Sequence, residues 1–194
     1  MRLFLAIFPP KEYIKYFAEV YRKFDKQKRN LKPTPYDQVH LTLKFIGANV
    51  SEPSRDKLIE IFERFNGQYT KPEIKIESIK FGFDRQRDPR YLIANIEENQ
   101  SLIDLSNEIH GLIKSLKLKD TVRWKEKYTN DFHITLARMK NTATKSSGKE
   151  IGKLSEFANE IPYPLAFTPI TFDVMESVMK IDGPSYRKIA SIKI

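Results

Sequence analysis

The chain has 194 residues, none of them cysteine, and its 34 lysines and arginines outnumber its 25 acidic residues, so the net charge at pH 7 is +9. The absence of cysteine excludes disulfides and thiolate metal sites, and the shares of hydrophobic (40%) and aromatic (12%) residues indicate a folded unit over residues 1–194 rather than a disordered chain. The positive charge favours an anionic partner such as nucleic acid, although an ordinary solvated basic surface would have the same composition.

Apolar residues alternate or recur at helical spacing along the chain, and Pro, Gly and polar runs separate these segments. In chain order they predict a strand (3–8), a helix (14–24), a basic loop (26–32), a strand ended by residue 47, a helix between residues 51 and 67, two strands (74–83 and 91–96) joined by a polar loop (84–89), and a helix (101–116). An irregular segment (122–128), a strand after residue 131, a polar loop (141–148), a short helix (149–158), a strand broken by prolines (162–175) and a last strand (186–192) follow.

The apolar run at the N-terminus is too short for a signal peptide, and no run reaches transmembrane length. We therefore expect a cytoplasmic protein that has no membrane partner, and we expect it to be a monomer. No cofactor is indicated.

One four-residue pattern occurs twice, as His-Leu-Thr-Leu at residues 40–43 and as His-Ile-Thr-Leu at residues 133–136. Successive side chains of a strand point to opposite faces, so each copy would bury its apolar residues and present an imidazole and a hydroxyl together on the other face. Two of the three histidines in the chain are used in this way. The repetition favours His40, Thr42, His133 and Thr135 as functional residues over isolated structural histidines and strand threonines.

Two such strands side by side would form one pocket with two imidazoles and two hydroxyls. Hydroxyls can donate to phosphoryl oxygens, and paired imidazoles can act as general acid and base near neutral pH, so the pattern suits a phosphate ester. The copies lie about half the chain length apart, and each follows a strand and a helix, which suggests an internal duplication with a pseudo-twofold axis. A metal site is the alternative, but it needs a third ligand, and neither motif offers one.

The residues that follow each motif are weaker candidates for substrate binding. Strict alternation places Lys44 on the same face as His40, where it would add positive potential, and places Phe45 and Arg138 towards the core. A buried arginine is costly, so we expect a bulge or twist to bring Arg138 to the pocket. Phe45 and Arg138 would then flank a nucleobase, or Arg138 would hold phosphate. The bland alternatives are core packing for Phe45 and a solvated Lys44.

With these residues in view, the chain resembles the 2H phosphoesterase superfamily, which is named for its two His-x-Thr-x motifs. It looks most like the RNA 2′,3′-cyclic phosphodiesterases first described as 2′-5′ RNA ligases. The opening segment 1–7, the extended motif 40–47, the segment 133–138 and the closing Gly-Pro-Ser-Tyr at 183–186 carry this resemblance.

The resemblance implies an α+β, bilobed fold in which two antiparallel sheets line a central cleft and helices pack outside. It also implies metal-independent hydrolysis of a terminal 2′,3′-cyclic phosphate to a 2′-phosphate, with RNA ends or cyclic nucleotides as substrates. In that scheme His133 is the base, His40 is the acid, and Arg138 stabilises the charge on phosphorus.

Three alternatives remain at this stage. The same residues would serve a 2′-5′ RNA ligase that runs the reaction in reverse. A non-catalytic RNA-binding module would keep the cleft and the charge without needing either histidine. A related phosphodiesterase could act on a cyclic nucleotide or a 2′-5′ oligoadenylate.

Overall fold

A computed structural model describes residues 1–24, 31–82, 90–122, 131–140, 156, 158, 166–181 and 183–194. Within these ranges the strands are β1 (Arg2–Ile7), β2 (Leu31–Pro33), β3 (Leu41–Gly47), β4 (Ile74–Phe81), β5 (Tyr91–Ile96), β6 (His133–Met139), β7 (Ala166–Phe167), β8 (Thr171–Lys180) and β9 (Gly183–Lys193). The helices are α1 (Ile14–Phe24), α2 (Glu52–Arg64) and α3 (Gln100–Ser115), with single 3₁₀ turns at Lys11–Tyr13 and Tyr36–Gln38.

The described strands form one antiparallel sheet in the order β7-β4-β5-β6-β3-β1-β8-β9, and β2 pairs with β6. The two histidine strands, β3 and β6, are neighbours at its centre, where they share a single paired position, Leu41 opposite Ile134. The predicted α+β fold is confirmed. The two predicted sheets are joined here into one sheet, as two arms that meet between β3 and β6: the β3 arm contains β3, β1, β8 and β9, and the β6 arm contains β6, β2, β5, β4 and β7. The order β1-α1-β3 in one arm is repeated as β5-α3-β6 in the other.

The core lies between the sheet and the three helices. Each helix contributes an apolar face to it: Phe17 and Val20 from α1, Leu58 and Phe62 from α2, and Leu102, Leu105 and Ile109 from α3. All are nearly inaccessible to solvent, and such burial is the dominant favourable term in folding. The helices therefore cover one face of the sheet, and the histidine side chains lie on the other.

Cap and turn residues set both ends of α2, as the sequence predicts, and a cap that was not predicted sets the start of α3. The Ser51 side chain accepts a hydrogen bond from the Ser54 backbone N–H and so caps α2, and the Asn99 side chain caps α3 in the same way through the Leu102 N–H. Beyond α2, Gly67 has a φ of 77°, a left-handed conformation that glycine adopts at little cost.

One predicted loop is wrong in part. Residues 31–33, assigned to a basic loop or its exit, form β2, which pairs with β6 opposite residues 137–139. The pairing partner lies about a hundred residues away, so no local pattern could reveal it. The predicted loops at 84–89 and 141–148, most of the irregular segment 122–128 and most of the helix at 149–158 lie outside the described residues. Of the described helices, none is both long and apolar enough to cross a membrane.

Candidate active site

Each histidine strand carries a β-bulge at the same place, directly after the motif threonine. In β3 the register against β1 advances from Thr42 to Lys44 across one step of the partner strand, so Leu43 is the extra residue. In β6 the register against β5 advances from Thr135 to Ala137 in the same way, so Leu136 is the extra residue. A bulge inserts one residue and so reverses the alternation of every side chain beyond it.

The bulge at Leu43 makes the alternation prediction for the next two residues wrong. Lys44 pairs with Leu5, a core residue, and is only 2% exposed, so it lies on the helix-covered face and not beside His40. Burial lowers the pKa of its ammonium group from 10.5 to about 8. The geometry therefore gives no support to Lys44 as a substrate-binding residue.

Phe45 is displaced in the opposite sense, from the core face to the histidine face. It pairs with Phe4 and packs in a small apolar cluster with that residue and Tyr186. The Arg2 guanidinium lies 4.5 Å from the centre of its ring, a cation–π contact. Phe45 is thus half-buried against its neighbours and is not among the residues that line the cleft described below.

Arg138 occupies the position in β6 that Phe45 occupies in β3. The bulge at Leu136 turns Arg138 to the histidine face, where it lines the cleft as an exposed side chain. We expected such a bulge because burying an arginine in the core is costly. The Arg138 guanidinium lies against the backbone of Gly183, where an added Cβ would come within 3.1 Å of a terminal nitrogen. Gly183 also has a φ of 123°, which L-residues rarely adopt.

A cleft of about 700 Å³ opens on this face of the sheet, and both motifs line it. Its lining includes four motif residues, two from each arm of the sheet, which together form the His/Thr centre: His40, Thr42, His133 and Thr135. This is the arrangement that the repeated pattern predicts. A cleft of this size is typical of sites for small ligands and cofactors.

The two imidazoles are held in the same way. Nδ1 of His40 lies 2.6 Å from the carbonyl oxygen of Gln38, and Nδ1 of His133 lies 2.7 Å from that of Asp131. Because a carbonyl oxygen can only accept, each Nδ1 must carry the proton and donate it. Proton exchange with a bound molecule would then use the other ring nitrogen, Nε2, of each imidazole.

Three aromatic rings surround His40. The ring centres of Phe4, Phe8 and Tyr186 lie 5.2, 5.5 and 5.1 Å from that of the imidazole. Burial among these groups lowers the pKa of His40, the hydrogen bond to Gln38 opposes that effect, and the nearby His133 lowers the pKa further. Burial likewise raises the pKa of the Tyr186 hydroxyl, against which Arg138 and Arg2 act, so Tyr186 stays neutral.

The lining residues that sequence reasoning did not propose as site residues include Lys32, Tyr91, Lys180 and Tyr186. Lys32 and Tyr91 lie on strands that pair with β6, and the hairpin that carries Lys180 and Tyr186 joins the sheet through β1. Long-range pairing of this kind is not visible in a local pattern. The closing Gly-Pro-Ser-Tyr segment, which supported the family resemblance, was the sequence feature that could have identified Tyr186 as a site residue. Among the described lining residues Asp37 is the single acid, so the cleft carries a positive charge.

The third histidine, His110, lies on α3 and does not line the cleft. Over the described ranges, no group of three or more His, Cys, Asp or Glu side chains is arranged to hold a metal ion.

A family model described as LigT-like phosphoesterase matches residues 7–91, which include the first motif. The protein TT0787 of Thermus thermophilus has a similar structure, with 24% identity and a TM-score of 0.76 over 100% of this chain and 97% of its own. The corresponding values are 20% and 0.68 for E. coli LigT in complex with 3′-AMP, and 12% and 0.57 for Usb1 of Kluyveromyces marxianus, with the same coverage. A search of curated protein sequences gave no significant match.

These comparisons extend the resemblance from motifs to fold, because the second motif lies outside the matched segment but inside the structural alignments. Residues 7–91 thus match the LigT-like phosphoesterase family in sequence, and the chain over its whole length has the fold of TT0787 and of E. coli LigT.

Proposed function

We propose that this protein hydrolyses a terminal 2′,3′-cyclic phosphate of RNA to a 2′-phosphate without a metal ion. The observation that supports this most directly is that two matched His/Thr sets line one cleft, each imidazole fixed by its Nδ1 hydrogen bond. A cyclic phosphate needs an acid and a base on opposite sides of phosphorus, and a pseudo-twofold site supplies one from each arm.

In the proposed reaction water attacks phosphorus opposite the ribose O3′. Nε2 of His133 takes a proton from the water as the new P–O bond forms, and Nε2 of His40 gives a proton to O3′ as the P–O3′ bond breaks. The products are a 2′-phosphate and a free 3′-hydroxyl. After one turnover His133 holds a proton and His40 lacks one, so proton exchange with solvent restores the starting state.

The phosphate would be held by three groups around the two imidazoles. The hydroxyls of Thr42 and Thr135 donate to its non-bridging oxygens, and the Arg138 guanidinium adds a charged donor. Charge on these oxygens increases in the pentacoordinate transition state, and fixed donors aimed at developing charge are among the strongest catalytic devices. E. coli LigT, which has the same fold, was crystallised with 3′-AMP and with phosphate. Both ligands carry the kind of group, a phosphate, that the proposed site would bind.

The protonation of His40 depends on the substrate in this scheme. Burial lowers its pKa in the free protein, which favours the neutral form. A bound phosphate anion beside the ring stabilises the imidazolium and so raises the pKa again. Since one imidazole must be neutral and the other charged, the rate should fall at both acidic and alkaline pH.

The test is an assay with a short RNA that ends in a 2′,3′-cyclic phosphate, carried out with EDTA present. We expect conversion to the 2′-phosphate, identified by chromatography against 2′- and 3′-phosphate standards. Adding an RNA with a free 5′-hydroxyl tests the ligase alternative, which predicts a longer product. An RNA that binds and is never converted would instead support the binding-module alternative and contradict the proposal.

A further inference from the structure

The two arms of the sheet carry different residues at the equivalent position beyond each bulge, and only one of these two residues lines the cleft. In the β3 arm this residue is Phe45, which is half-buried, packs against the apolar cluster that contains Phe4, and lies beneath the Arg2 guanidinium. In the β6 arm the equivalent residue is Arg138, which is exposed and lines the cleft. A substrate longer than one nucleotide would therefore meet a charged side chain on the Arg138 side of the His/Thr centre.

A row of three side chains crosses three strands on that side. Arg138 of β6 pairs with Lys32 of β2 on one flank and with Tyr91 of β5 on the other. Directly opposed residues of antiparallel strands share a face, and all three line the cleft. With the bulge counted, the row is one same-face step beyond Thr135, about 6.5 Å along the strand. It therefore lies next to the proposed phosphate position.

The hairpin of β8 and β9 brings a further cation to the same end of the cleft. Lys180 and Gly183 pair at the tip of this hairpin, and both line the cleft. The contact between the Arg138 guanidinium and Gly183 joins the hairpin to the row. Lys180 and Lys32 thus come to this end from different arms of the sheet, with the aromatic ring of Tyr91, 40% exposed, in the same row.

We propose that Lys32, Lys180 and Tyr91 form a subsite for the nucleotide that precedes the terminal cyclic phosphate, so that the preferred substrate is the end of an RNA strand and not a cyclic mononucleotide. The lysines bind the phosphodiester that links the last two nucleotides, and the preceding base stacks on Tyr91. Single-stranded nucleic acids are bound in this manner, by cations that follow the backbone and by aromatic rings that stack with bases. The inference rests on the proposed function, since it places the cyclic phosphate at the His/Thr centre.

The experiment compares kcat/KM for a 2′,3′-cyclic mononucleotide with that for RNAs of two and ten nucleotides ending in the same group. In the wild type, addition of the preceding nucleotide should raise kcat/KM by about tenfold or more, as expected for one stacked base. Lys32→Ala, Lys180→Ala and Tyr91→Leu should each lower the ratio of the two-nucleotide to the mononucleotide value. For the ten-nucleotide RNA, each lysine variant should also reduce the slope of log kcat/KM against log salt by about 0.7.

Lys57→Ala is the matched control, because Lys57 is exposed on α2, outside the cleft, and removes the same charge. It should leave both the ratio and the salt slope as in the wild type. Similar kcat/KM values for mononucleotide and RNA in the wild type, or equal ratios in all variants, would overturn the subsite while leaving the proposed function intact. No turnover of any of the substrates would refute the proposed function, and the subsite would be refuted with it.

Discussion

Replacing Lys44 by methionine should stabilise the protein at neutral pH. The bulge at Leu43 turns this lysine into the core beside Leu5, where it is 2% exposed. Its ammonium group must lose most of its hydration there, which is why burial lowers its pKa. Methionine is of similar length, is flexible and carries no charge, so it can fill the same space.

The expected size follows from the pKa. A value lowered from 10.5 to about 8 corresponds to about 3 kcal/mol at about 1.4 kcal/mol for each pH unit. Because the folded-state pKa lies below the unfolded value, the unfolded chain binds more protons between pH 8 and 10.5, and stability rises with pH in that window. The charged lysine therefore costs the full amount below pH 8 and nothing well above pH 10.5.

The assay is urea unfolding of the wild type and of Lys44→Met at several pH values from 7 to 10.5. We expect the variant to gain up to about 3 kcal/mol at pH 7 and the difference to decrease steadily above pH 8. Lys57→Met, at an exposed position on α2, is the control and should show no such dependence. A difference that stayed constant across this range would refute the placement of Lys44 in the core, and with it the bulge.

Three further predictions concern the cleft and one helix cap. Gly183→Ala should lower kcat/KM by about 10- to 100-fold, the value of a hydrogen bond to a charged group, because the added Cβ would meet the Arg138 guanidinium and displace it. Gly111→Ala, which has open space around it, is the control and should keep wild-type activity. Equal activity of both variants would contradict a role for Arg138 in binding the phosphate. In an NMR titration the pKa of His40, below 6.5 in the free protein, should rise when 3′-AMP binds, and an unchanged value at saturation would mean that the phosphate does not reach the ring. The Ser51 hydrogen bonds hold the pKa of Asp120 at about 2, so Asp120→Asn should be less stable than the wild type above pH 4. Urea unfolding should show this difference in stability vanish as the pH falls through about 2. A difference that persisted in acid would contradict the stabilising role of the Asp120 carboxylate at this cap.

The central four residues of the cleft were predictable because their pattern is local. Alternation holds from His40 to Thr42 and from His133 to Thr135, and the repetition itself indicated that the two strands belong together. The sequence pattern stopped being informative at the leucine that follows each threonine. A bulge there depends on how the neighbouring strand pairs, and it reversed the predicted faces of Lys44 and Phe45.

The wall of the cleft was less predictable for a different reason. Lys32, Tyr91 and Lys180 come from three strands whose places in the sheet follow from long-range pairing with β6 or, for the strand of Lys180, with β1. Lysine and tyrosine at such positions look like ordinary surface residues in the sequence. The charge of +9 indicated an anionic partner, but only the register of the strands brings part of that charge to the cleft.

The most direct test of the account is the activity of His40→Ala, His133→Ala and the double variant on RNA ending in a 2′,3′-cyclic phosphate. Because the two imidazoles act in one proton-transfer scheme, each single variant should lose about 100- to 10,000-fold in kcat, and the double variant should lose little more than the worse single variant. His110→Ala, which changes the histidine outside the cleft, should remain active. Single histidine variants that retained wild-type turnover would contradict the claim that this pair performs the chemistry.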